Sequence, residues 1–523
     1  MMKITTLLLL VTGLFQAINV VGQHGRETIN INNEPATVAL RASDNIVPTG
    51  AKRSRTFDYN PRLRQLTAAN KGDTLLLDFF ENCRYKAVIS DVTVGFDDVL
   101  GITARIVDCD FASCCILSIS QFGISIRTDI IGHDEHFRAA NTNGQTILSQ
   151  YSLSEVRRNN LVPEQAVPLA EKSFFSETTS LSSLMADRPT CLSQPRATEN
   201  QDEHVTVDVM VVYSTKAKQW ADNHATSIDN AVSMAFQYAN HVLDNSLVNI
   251  TFRMVYKYET DYAESKDANV DLIAFRDNGD GVMDEVHDLR RHYGADLVVL
   301  MPMTGAWAYL PNYDLNKPDP TFGFSVCNVG GATFDATLPH ELGHNFGAHH
   351  HWQQLRTRYP GPGIFTYSSA WRGVGEDEKW YHTVMSYSGD SFADKNPSVV
   401  IPYFSNPDVI VNGVPIGSVQ KENNALTLNQ TKHVIARYSE LIGSKNPPAG
   451  TQNIENQSLK AFVADGNLYI TGLCHGETFT VFNLTGQLIY QGIANASEER
   501  IALSARGFYI VIANGRSAKI VAK

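Results

Sequence analysis

Residues 340–350 read HELGHNFGAHH, and this run narrows what the chain around it can become. On a helix of about 3.6 residues per turn, His340 and His344 stack on one face, so their imidazoles converge on one metal ion. Glu341, one position on, points beside that pair, where a carboxylate can take a proton from water. Gly347 accepts a left-handed conformation at little cost, so it lets the chain leave the helix and brings His350 round as a third nitrogen ligand. Three neutral imidazoles leave a fourth position open, as in a catalytic rather than a structural metal site. Pro339 is comfortable only in the first turn of a helix, so the helix should begin within a turn of the motif. A bare H-E-x-x-H arises by chance as two exposed helical histidines, and the added Gly and third His at fixed spacing argue against that reading. Within His349-His350-His351 the spacing selects His350, and His349 and His351 fall to solvent or supporting roles.

The 523 residues suffice for about three domains at roughly 150 residues each. The net charge of −12 argues against a nucleic-acid partner, because a phosphate-binding surface shows as an excess of Lys and Arg. Lys3 followed by an apolar run from Ile4 to Phe15 and small residues ending at Gly22 reads as a secretory signal over 1–22, too short to span a bilayer. No other stretch is apolar enough to cross a membrane, so the mature product is expected to be secreted or held at a cell surface. Of the cysteines, Cys83, Cys109, Cys114, Cys115 and Cys191 precede residue 200, and Cys327 and Cys474 follow it. Disulfides are therefore not expected to hold the mature chain together.

Residues 24–70 are polar, with no clear period, and suggest a loosely ordered segment. From about Asp73 to Tyr151, short alternating runs divided by Gly, Asp and Asn predict a small β domain. Residues 154–200 turn polar and Pro-rich and read as a linker open to proteolysis. HVTVDVMVVYS (204–214) then predicts a buried strand, followed by a long helical pattern through Trp220, Ile228 and Val242. NITFRMVYKYE, a helical region over 270–292 and ADLVVLMPM (295–303) continue the alternation, which predicts an α/β layer with a twisted, mostly parallel sheet. DNGDGVMDE (277–285) fails as a calcium loop, because Arg276 and His287 would occupy its first and last ligand positions. The expectation is a turn in which Asp280 or Asp277 caps a helix beginning near Val282. ALTLNQTKHVIARYSELI (425–442) reads as a closing amphipathic helix, 443–457 as a linker, and 458–523 as a small all-β tail domain.

With HTVMSYS downstream of the histidines, the chain resembles the metzincin metalloproteases, most closely the reprolysin-like branch with its many bacterial members. The resemblance covers roughly residues 200–441, through DGVMDEVHDLRRHYGADLVVL, GAWAYL, GFSVCN, PHELGHNFGAHH, TVMSY and PYFSNPDVIVNGVPIG in family order. It implies a metzincin catalytic domain over 200–442, zinc held by His340, His344 and His350, catalysis by Glu341, and Met385 as a hydrophobic floor beneath the metal. It also implies that GFSVCN (323–328) is the edge strand that pairs with an extended peptide substrate. Tyr387 resembles a tyrosine that some metzincin branches place near zinc to hold the metal or the oxyanion, with ordinary packing as the alternative. The implied activity is hydrolysis of internal peptide bonds.

The resemblance further implies a zymogen, with residues 23–199 as a β-rich propeptide. A propeptide thiolate often blocks zinc in such enzymes. Cys191 in RPTCLSQPR and Cys83 are the two candidates, with a Cys191–Cys327 disulfide as the alternative. The tail, with TVFNLTGQLIYQG and GFYIVIANGRSAKIVAK, resembles the C-terminal sorting domain of type IX secretion substrates, which implies secretion machinery as a partner. A small carbohydrate- or protein-binding module is the alternative. Two rivals come from other classes: a catalytically silent adhesion protein, expected to lose Glu341 or a ligand, and a zinc hydrolase of non-protein amides.

Overall fold

The computed structural model describes residues 26–33, 48, 50–152, 203–443 and the strands and short connections between 460 and 522, apart from residues 96, 97, 108, 110–112, 143, 313 and 356–362 within those spans. The expected signal over 1–22, the linker, Cys191 and Cys474 lie outside the described residues. The chain divides into two compact units, Met1–Pro448 and Ala449–Lys523.

The first unit opens with a nine-stranded sheet in the order β1-β3-β4-β5-β6-β7-β8-β9-β2. Its strands are β1 (Thr28–Asn30), β2 (Arg53–Thr56), β3 (Thr74–Phe80), β4 (Cys83–Val94), β5 (Leu100–Val107), β6 (Cys114–Ser120), β7 (Gly123–Ile130), β8 (Glu135–Thr142) and β9 (Gln145–Ser152). The segment 24–70, expected to be loose, supplies β1, β2 and two 3-10 turns at Pro61–Gln65 and Ala68–Asn70. These pieces are held by distant partners: β2 pairs antiparallel with β9, while Arg55 donates to the carbonyls of Phe79 (2.6 Å) and Asp78 (2.8 Å) at the far end of the sheet. Short polar edge strands take their order from the strand they meet, which their own sequence does not reveal. Along β6 the two faces separate: Cys115 and Leu117 turn into the sheet's own core with Leu75, Phe79, Ile102 and Phe137, whereas Cys114 and Ile116 join the core of the following layer.

That layer is a five-stranded sheet, order β11-β10-β12-β14-β13. β10 (Val205–Ser214), β11 (Ile250–Thr260), β12 (Leu297–Met301) and β14 (Phe324–Cys327) run parallel, and the short β13 (Ala306–Ala308) lies antiparallel on β14. GFSVCN is therefore not the edge strand expected above; β14 is paired on both sides, and the sheet's edges are β11 and, beside β14, the short β13. Parallel strands need crossovers, and the helices provide them. The single long helix expected after β10 is two, α1 (Thr215–His224) and α2 (Ile228–Asn245), because Thr226 takes a left-handed φ of +67° and the Ser227 hydroxyl accepts from Asn230 N at 3.2 Å to start α2. The 270–292 region is likewise α3 (Ala268–Arg276) and α4 (Glu285–Tyr293). Between them Asp280 accepts from Val282 N (2.9 Å), and Asp284 accepts from Gly279 N (2.6 Å) and Gly281 N (3.0 Å). The acidic run thus organises a turn, and the helix begins at Glu285 rather than Val282.

Two short helices follow, α5 (Val329–Phe334) and α6 (Thr337–Asn345), the latter carrying the histidine motif. The stretch expected to be one closing helix splits into α7 (Asn424–Ile435) and α8 (Tyr438–Leu441). Among the described residues, the second unit holds seven strands between Lys460 and Ala522 in a three-stranded and a four-stranded sheet, with Leu468, Ile470, Phe479, Val481 and Val511 in its core. No helix among the described residues is long and apolar enough to cross a membrane.

Candidate active site

Helix α6 is buried along its whole length, and His340, Glu341 and His344 each expose less than a tenth of their surface. Pro339 stands third in the helix, where its missing N–H has no intrahelical partner to lose, and His340 N donates to Ala336 O at 3.1 Å to complete the first turn. Gly343 is required by the underside: a Cβ there would lie 2.8 Å from both Met385 Sδ and Phe404 Cε1. Met385 is thus pressed against the back of the helix and fully buried. Gly347, at φ +91°, ends the helix, and the chain turns back so that His350 faces the motif's two other histidines.

Three Nε2 atoms meet in the resulting space. His350 Nε2 lies 3.1 Å from those of both His340 and His344, and one ligand atom from each residue falls within 4.8 Å of the others. His340 Nδ1 donates to Val384 O (2.7 Å) and His344 Nδ1 to Ala348 O (3.0 Å). Each bond fixes the ring tautomer and leaves an unprotonated Nε2 aimed inward. Burial lowers the His340 pKa to about 4 and holds His344 and His350 well below the ordinary histidine value, so all three rings are neutral at physiological pH. Lone pairs this close repel unless a cation lies among them, and the residues therefore fit a metal ion.

Glu341 has no ion-pair partner among the described residues, and burial pushes its carboxyl well above the usual range. Burial of the Tyr387 phenol, and after it the nearby Glu341, pushes that hydroxyl's pKa up. The Tyr387 ring lies 5.6 Å from that of His340 and 4.9 Å from that of His350, and its N–H donates to Gln354 Oε1 at 3.2 Å. Tyr387 thus faces two rings of the histidine cluster.

The neighbouring histidines diverge. His351 lies 3.5 Å from Glu422, and the main chain of His349 is clasped by Asn424. Ser369 Oγ donates to the carbonyl of His350 at 3.0 Å, and Ser405 Oγ donates to the carbonyl of Ser369 at 2.7 Å. Asn345, inside the motif, donates to three carbonyls, those of Tyr309, Phe322 and Phe324, and so ties the helix to the strand beside it. Asn424, Ser369 and Ser405 escaped the sequence reading, since nothing in their spacing marks them; Asn345 had only its place in the motif.

Of the two cysteines weighed as metal blockers, Cys83 is buried in the N-terminal sheet, where Arg53 Nη2 donates to its sulfur at 3.1 Å and burial raises its pKa. Its sulfur lies against Arg53, Gln150 and Glu135, which all belong to that sheet. Cys327 is a buried free thiol.

A sheet with one antiparallel edge, a helix carrying two histidines and a buried glutamate, and a third histidine beyond a glycine turn define a metallopeptidase domain. More particularly, residues 204–421 match the reprolysin-like family of metallopeptidase family M12B. Members of M12 depend on a metal ion, and the His340–His344–His350 cluster is the place for one. Three proteins named peptidyl-Asp metalloendopeptidase are similar to this chain. That of Stenotrophomonas maltophilia is 25% identical over 285 residues, 52% of this chain and 64% of that one. That of Xanthomonas campestris is 29% identical over 239 residues, 45% and 52% of the two chains. That of Pseudomonas aeruginosa is 29% identical over 275 residues, 47% and 42%. The chain thus spans 42–64% of the length of these relatives.

Proposed function

We propose that this chain is a zinc-dependent endopeptidase, exported through the signal at 1–22 and made as a zymogen activated by a cut ahead of residue 200. The observation that carries the reading is the convergence of the Nε2 atoms of His340, His344 and His350 next to the buried Glu341. Zinc held by His340, His344 and His350 would supply Lewis acidity, lowering the pKa of water towards ~7 and polarising the scissile carbonyl. Glu341 accepts the proton of the attacking water as its oxygen bonds to the carbonyl carbon, and delivers that proton to the amide nitrogen as the C–N bond breaks. The Tyr387 hydroxyl donates to the oxyanion that forms between these steps. Met385 backs the ligand helix from below.

The free edge of β13 favours an extended peptide substrate, bound by main-chain hydrogen bonds along Ala306–Ala308. The names of the relatives extend the proposal to bonds next to aspartate. The tail, with its two small sheets, is read as the sorting domain of type IX secretion, which engages secretion machinery and brings the enzyme to the outside or the cell surface.

The test is a peptide-library profile of the activated full chain against its Glu341→Ala variant, with metal content measured in both. Cleavage of internal bonds adjoining Asp by the parent, abolished in the variant at equal zinc, is the expected result. Equal cleavage by both, or a purified chain without zinc, would sink the mechanism.

A further inference from the structure

Helix α2 is buried on almost every side: among its residues only Asp244 is exposed. A helix that covers one face of an α/β sheet should turn a polar stripe to water. Here the face towards β10 and β11 packs on Val207, Val209, Val211 and Phe252, and the opposite face continues into Cys114 and Ile116 of the N-terminal sheet as one apolar core.

The polar groups on that second face are matched across the contact. Ser120 Oγ donates to Asn230 Oδ1 at 2.6 Å, and Asn230 Nδ2 donates to Ser118 O at 2.7 Å, all within the buried interior. Ser125 Oγ donates to Ala225 O at 2.8 Å, and Thr226 Oγ1 to Ile124 O at 2.9 Å. Gly101 brings the sheet so close that a Cβ there would lie 2.7 Å from the Gln237 amide. Uncovering this face would expose apolar side chains and strand donors and acceptors that are now paired in the interior, which disfavours separation.

A buried charge cluster extends the contact towards the metal helix. Arg127 pairs with Asp129 at 2.9 Å, lies 3.6 Å from the Tyr238 ring centroid, and donates to the carbonyls of Thr333 (3.2 Å) and Asp335 (3.0 Å). Those two carbonyls sit at the end of α5 and in the turn that leads into α6. Arg138 lies 3.9 Å above the Phe334 ring in the same place.

We infer that the N-terminal sheet, residues 26–152, is a non-covalently retained part of the working enzyme. It stays seated on α2 and braces the turn before the metal helix after the chain is cut between residues 153 and 203. The cut itself rests on the processing proposed above, but retention of the sheet is read as association without substrate, so its failure is distinguishable from failure of the proposed chemistry.

The experiment places a site-specific protease sequence between residues 170 and 190 of the full chain, cuts it to completion, and dilutes the product to nanomolar concentration on a sizing column. Co-elution of the two fragments, with amide exchange at residues 333–340 equal to that of the uncut chain, is expected. Separation under native conditions overturns the inference. A Gly101→Val variant, whose side chain invades Gln237, should release the sheet at least ten times faster after cutting. Retention as tight as in the parent would count against the seat on α2, and should the variant fail to fold, the parent measurement still decides.

Discussion

Asn424 grips the main chain of His349 with both ends of its amide: His349 N donates to Asn424 Oδ1 at 3.2 Å, and Asn424 Nδ2 donates to His349 O at 3.0 Å. The next residue is His350, the third histidine of the cluster that could hold a metal ion. The grip fixes the direction in which the chain leaves Gly347 and therefore where His350 Nε2 comes to rest. Asn424→Ala should weaken zinc binding by ~10–100-fold, the range found when groups supporting metal ligands are removed. Chelator competition against the parent measures this, with far-ultraviolet circular dichroism showing that the fold is kept. An unchanged affinity would mean that the Gly347 turn alone positions His350.

At Gly343 two effects compete. Alanine is the better helix former by ~1 kcal/mol, but its methyl would enter the 2.8 Å spaces occupied by Met385 Sδ and Phe404, and overpacking of this kind costs ~1–3 kcal/mol. Packing should win, so Gly343→Ala is expected to lower the melting temperature by several degrees. A rise instead would show that the underside of α6 is looser than these distances indicate.

Tyr387→Phe separates the two roles open to that residue. If the phenol donates to the oxyanion, kcat should fall by ~10²-fold with KM and zinc content little changed. If the ring only packs against His340 and His350, kcat stays within about twofold and only thermal stability drops.

His136 couples the N-terminal sheet to pH. Its Nδ1 donates to Asp129, and its Nε2 accepts from Arg138 Nε at 2.5 Å, so a second proton would have to enter facing a guanidinium. Burial and Arg138 lower its pKa to about 4 from an ordinary value near 6.5. The unfolded chain therefore binds more protons than the folded one between these values, so stability is fully present above pH ~6.5 and is lost as pH falls towards 4. Melting curves at pH 7 and 4.5 should show a larger drop for the parent than for His136→Gln. Equal drops would assign the acid sensitivity elsewhere. Asp296, raised by burial to about 6, works in the opposite sense, losing stability as pH rises through 6, which is why the variant comparison and not the parent curve alone is decisive.

The metal centre was legible because its parts are close in sequence and obey local rules. Helical periodicity puts His340 and His344 together, Pro339 limits where the helix starts, and Gly347 permits the turn that returns His350. The run over 204–214 likewise announces a buried strand, since its apolar stretch Val209–Val212 suits a segment covered on both faces.

Only the tertiary structure decided that β13 rather than β14 is an open edge, because strand order depends on which chains meet and not on the composition of either. It alone revealed β1 and β2 in a polar segment without period, the breaks after α1 and within 425–442, and the reach of Asn424 to His349 across the domain. It also decided that the outer face of α2 is covered by the N-terminal sheet: an apolar helix surface requires a cover, but the sequence of the helix does not say which part of the chain supplies it.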